Sequence, residues 1–109
     1  MDVHEDEKCP NERRSTITST TGGVMTEEVG AVTGELEVAT RPRSGTIEVA
    51  VRYAGADEWY AVEGGPIVVN DADELSYSEL HEHIVRCLTT PGMVVKGNEE
   101  PTSLRGFSP

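Results

Sequence analysis

His81, Glu82, His83 and Cys87 stand close together near the end of this 109-residue chain. They crowd one predicted helix, and each is a side chain able to hold a metal or move a proton. His83 and Cys87 are four apart, a spacing that on a helix turns two ligands toward one ion. His81 and His83 are two apart, about 200° around a helix, so they cannot chelate together. Two ligands do not close a site. The others would have to come from Glu79, or from His4 and Cys9 near the N-terminus. No metal and no cofactor is therefore expected. Cys87 reads as a core thiol, with the histidines on the helix flanks.

Asp71, Asp73, Glu79 and Glu82 occupy the first, third, ninth and twelfth places of a twelve-residue window, as in a calcium-binding EF-hand loop. The pattern then fails. Leu75 is fifth, and Ser76 stands sixth, where the sharp turn needs glycine. These acids fit better as a solvated approach to a helix N-terminus, favoured by its dipole. Ser76, Ser78 and Cys87 are the nucleophiles nearest the histidines. Ser76 suits a cap, and a Cys among acids on an apolar flank has a raised pKa. With no Gly-x-Ser-x-Gly elbow and no phosphate-binding Gly loop, an enzyme is not expected.

The element carrying these residues is a helix over about 76–88. Ser76-Tyr77-Ser78-Glu79 fits a capping box, with Ser76 as N-cap and Glu79 reaching back. Tyr77, Leu80, Ile84 and Leu88 make one apolar stripe, flanked by His81, Val85 and Cys87. Glu79, Glu82 and Arg86 fall opposite, and Thr89-Thr90-Pro91-Gly92 ends the helix. Upstream, residues 46–53 alternate cleanly, with Ile47, Val49, Val51 and Tyr53 on one face. Residues 34–40 predict a further short strand, 41–45 a turn, and 54–58 a hairpin loop. Trp59-Tyr60-Ala61-Val62 predicts another strand. Gly64-Gly65-Pro66 interrupts it, and Ile67-Val68-Val69 continues it or starts a new one.

The fold class expected is α+β: an antiparallel sheet of three to four strands with one helix on one face, and flexible N- and C-terminal tails. Residues 25–95 are the expected domain. Residues 1–24 read as a disordered tail, having almost nothing to bury. They read equally as an over-long start ahead of Met25-Thr26-Glu27-Glu28, which has the form of a bacterial protein start. Residues 96–109 read as a loose tail, tethered at most by Leu104 and Phe107. Cys9 and Cys87 do not make a disulfide framework. With no apolar leader or membrane-length stretch, the expected location is the cytoplasm.

Twenty acidic and nine basic residues leave a net charge of −11. Nine acids against Arg52 and Arg86 put −7 of it in residues 46–95. A folded part this acidic disfavours nucleic acid and anionic membrane as direct ligands. The partner expected is a protein with a basic surface. The residues expected to meet it are Asp57, Glu58, Trp59, Tyr60, Asp71, Asp73, Glu74, Glu79 and Glu82. Trp59 and Tyr60 are adjacent on a strand and must face opposite ways. The concrete roles are an inhibitor, an antitoxin-like neutraliser or an accessory subunit. The alternative is a small oligomeric enzyme or ligand-binding protein, with His81, His83 and Glu79 forming a site across a dimer seam. Small sheets have open edges, so a homodimer through an edge strand or the open sheet face is also expected.

Overall fold

A computed structural model describes residues 12–69, 76–91, 94–95 and 98–107. The chain runs β1 (Arg13–Thr18), β2 (Val24–Thr26), β3 (Gly30–Val32), β4 (Glu35–Arg43), β5 (Thr46–Tyr53), β6 (Tyr60–Ala61), β7 (Ile67–Val68), α1 (Tyr77–Thr89), β8 (Val94–Val95) and β9 (Asn98–Glu99). It is an α+β fold. The main sheet is antiparallel in the order β1-β4-β5-β6, with β7 also pairing β5. Hairpins β2–β3 and β8–β9 lie outside it.

β4 and β5 form the spine, from Leu36 opposite Tyr53 to Arg43 opposite Thr46. The strand expected over 34–40 runs on to Arg43, and the turn narrows to Ser44-Gly45. Gly45 closes it at φ 75°, a conformation open to glycine. Pro42 lies opposite Ile47 in the β4–β5 pairing, beyond Thr40, where the described pairing with β1 ends.

Alternation sends Ile17, Leu36, Val38, Thr40, Ile47, Val49 and Val51 to one face, where all are buried. Against them α1 lays Leu80, Ile84 and Leu88. Each such side chain contributes about 1.5–3 kcal/mol on full burial. The capping box forms as the sequence predicts. Ser76 Oγ accepts from Glu79 N at 3.1 Å, and Ser76 N donates to Glu79 Oε1 at 3.0 Å. The helix stops at Thr90, whose extended backbone precedes Pro91.

Two expectations are corrected. Residues 13–18, placed in a disordered tail, are a six-residue strand whose Ile17 is buried opposite Leu36. Arg13-Arg14-Ser15-Thr16-Ile17-Thr18 has little apolar surface of its own, and β4 supplies the pairing that orders it. The C-terminal segment, placed in a loose tail, also packs. Leu104 is 1% exposed, and its N–H donates to Glu63 O at 2.8 Å. Thr102 is buried and exchanges backbone bonds with the Gly23–Met25 segment. Residues 1–11 and 108–109 lie outside the described residues.

Candidate functional site

The first candidate is the charged and aromatic group around Trp59. The alternation that buries Val49 and Val51 turns Ala39, Arg41, Glu48, Ala50 and Arg52 to the outer face of the sheet. Trp59, in the loop before β6, lies on that face. Its ring has the Arg52 guanidinium 4.5 Å from its centroid and that of Arg14 at 5.3 Å. A niche of about 100 Å³ beside it is lined by Ala39, Arg41, Glu48 and Ala50. The small alanines leave this space, and the arginines roof the indole. Arg52 also holds Glu37 (2.6 Å), Arg43 holds Glu48 (3.2 Å), and Glu12 bridges Arg14 (2.6 Å) and Arg41 (3.0 Å).

Four of the nine cations therefore share one face. Adding charge along the chain cannot show this, because the four come from three strands. Three glutamates stand among them, so the face is close to neutral. The acidic excess lies elsewhere.

Part of that excess gathers at the β6 edge. Tyr60 turns the opposite way to Trp59, sits opposite Val51 and packs against the core. Its hydroxyl makes a weak 3.5 Å contact with Glu58. Desolvation against the core pushes its pKa up, and the charges of Glu58 and Glu28 add to the rise. Glu28 belongs to the β2–β3 turn, and its carboxylate accepts from Ala61 N at 2.9 Å. Neighbouring Glu27 donates its N–H to Ala61 O. So Glu58 and Tyr60 are joined by Glu27 and Glu28, two residues not selected from the sequence, while Asp57 is exposed in the loop beside Glu58. Their only sequence signal was being acidic in a Gly-bounded turn.

The remaining predicted residues are not part of this cluster. Trp59 faces the arginines. Glu79 and Glu82 are exposed on α1, which is seated over β1 and β4 at the other side of the sheet. Glu79 is engaged in the cap. Asp71, Asp73 and Glu74 lie outside the described residues.

The helix histidines separate. His81, expected on a flank, is 5% exposed, while Tyr77, expected in the stripe, is 40% exposed. His81 Nε2 lies 2.7 Å from Ser15 Oγ on β1, and Nδ1 lies 2.8 Å from Thr40 Oγ1 on β4. Those two hydroxyls make the burial tolerable. Desolvation lowers its pKa, Arg13 lowers it further, and Glu82 opposes the shift. Ser15–His81–Thr40 has the order of a nucleophile, a base and an orienting group. Its third member is a hydroxyl with no negative charge to set against an imidazolium, and Ser15 sits on a regular strand. This arrangement suits fastening the helix to the sheet better than acyl transfer.

His83 lines a different hollow, of about 410 Å³, with Arg86, Cys87 and Thr90. Cys87 Sγ donates to Ser103 O at 3.5 Å, and burial pushes the thiol up. No three His, Cys, Asp or Glu side chains converge on a metal-sized site among the described residues. Within one chain, His81, His83 and Glu79 do not share a site. No helix among the described residues is long and apolar enough to cross a membrane.

No protein-family model, no curated protein and no solved structure matches the chain.

Proposed function

We propose that this chain is a small protein-binding module of the cytoplasm. It engages a basic surface on another protein through the β6 edge, as an inhibitor, an antitoxin-like neutraliser or an accessory subunit. The observation carrying this reading is the setting of Tyr60. The pKa of this phenol, raised by desolvation against the core, is raised further by Glu58 and Glu28; Glu27 adjoins Glu28 and Asp57 adjoins Glu58 in sequence, and both are exposed. An aromatic anchor ringed by carboxylates suits lysine- or arginine-rich contacts, because unlike charge steers encounter while the ring supplies contact area. The net charge of −11 acts in the same direction.

The test is affinity capture from the native host with the full chain as bait, followed by association kinetics with the captured protein. Reversal of Glu27, Glu28 and Glu58 to Lys should slow association by about tenfold or more and flatten its dependence on salt. An unchanged rate with the triple variant would move the interface away from this edge.

A further inference from the structure

We propose that two copies of this chain pair antiparallel through β1, their α1 helices lying side by side on the same face of the joined sheet. This goes beyond the reading above and uses the opposite edge of the sheet.

β1 is the terminal strand of the order β1-β4-β5-β6. It pairs with β4 along all six residues without a bulge, and no other backbone bond to it is made among the described residues. It contains no proline. An edge about 20 Å long thus presents N–H and C=O groups with no backbone partner among the described residues, and Arg13 and Arg14 at its start are its only charged side chains. A two-fold axis through Ser15 sets Arg13 opposite Ile17 and Arg14 opposite Thr16. No like charges are brought face to face, and the residues facing the helix in one copy face it in the other.

The second observation is the space above that edge. His81 reaches Ser15 on β1 and Thr40 on β4, which seats α1 over this outermost pair of strands. Beside it is a hollow of about 360 Å³ lined by Ser15, His81, Glu82, Val85, Arg86 and Thr89. With strands about 4.8 Å apart, joining two β1 edges sets the two helices about 10 Å apart, the spacing at which helices pack. Each helix then fills the other's hollow.

The lining identifies the occupant as a second copy. Glu82 stands one turn before Arg86. Both are exposed, and neither forms an ion pair with a described residue. In an antiparallel helix pair such a stripe is complementary to itself, Glu82 of each copy meeting Arg86 of the other, with Val85 between. A strand from an unrelated protein would complete the backbone ladder but leave this charge pattern unanswered.

The test is sedimentation equilibrium of the full chain. The wild-type protein should be a dimer at tens of micromolar. Glu82→Arg and Arg86→Glu should each weaken it by about tenfold or more, and the double reversal should recover most of the loss. Circular dichroism and melting of each variant check that the exposed substitutions leave the fold intact. A wild-type monomer at several hundred micromolar overturns the proposal. So does a dimer that neither single reversal weakens, or a double reversal as weak as the singles.

Discussion

His81 Nδ1 lies 2.8 Å from Thr40 Oγ1, a bond joining the inner side of the helix to the middle of the sheet. With Ser15 on the other ring nitrogen, this histidine is a polar fastener between the helix and the main sheet. A neutral ring donates through one nitrogen and accepts through the other, and each hydroxyl can supply the complementary role.

Stability should therefore depend on the protonation of His81. Desolvation and Arg13 on β1 depress its pKa in the folded state, and Glu82 on α1 offsets them only in part. The unfolded chain takes up the proton first, near the ordinary value of about 6.5. The contribution is complete above that value and is lost as pH falls toward the depressed folded value. Urea midpoints between neutral pH and mildly acidic pH should fall for the wild-type protein more steeply than for His81→Asn. Parallel curves would show that the ring's ionisation is not coupled to folding. His81→Ala should cost about 1–3 kcal/mol for hydroxyls left unpaired, plus the lost packing.

Trp59 is the only tryptophan in the chain, so its fluorescence reports the outer face of the sheet directly. Removing the Arg52 side chain uncovers one side of the indole and releases Glu37. Arg52→Ala should shift the emission to longer wavelength and lower stability by about 0.5–1 kcal/mol. Arg43→Ala should do neither, because its pair with Glu48 is exposed and the guanidinium groups over the indole are those of Arg14 and Arg52. Equal spectra for the two variants would contradict the stacked arrangement.

The C-terminal segment should be part of the cooperative unit. Leu104 is fully enclosed, and a side chain at Gly64 would meet the Arg105 backbone at 2.4 Å. Leu104→Ala should lose about 2–5 kcal/mol. Gly64→Ala should be destabilising both through this clash and through its φ of 96°. Limited proteolysis of the native protein should spare the bonds between residues 98 and 107. Early cleavage there, with the β4–β5 hairpin intact, would show that the segment is not held.

What the sequence determined by itself is local. The alternation over 46–53 carries the periodicity of a strand, and Ser76 with Glu79 carries both halves of a cap. The stripe through Leu80, Ile84 and Leu88 carries the helical period. Each of these signals is complete within a few residues, so neighbours along the chain suffice to read it.

What only the tertiary structure decided depends on surfaces brought from elsewhere. Arg13–Thr18 looks like a soluble tail until β4 provides a ladder and Leu36 a neighbour for Ile17. Leu104 is one apolar residue in a polar run until Glu63 and the core receive it. His81 has the polarity of a helix flank. It goes inside because two hydroxyls, from strands distant in sequence, stand where its nitrogens need partners. Trp59 and Tyr60 must diverge on any strand, but which of them meets the arginines follows from the register of β6 on β5. A single pairing, Val51 with Tyr60, turns the phenol to the core and leaves the indole to the outer face.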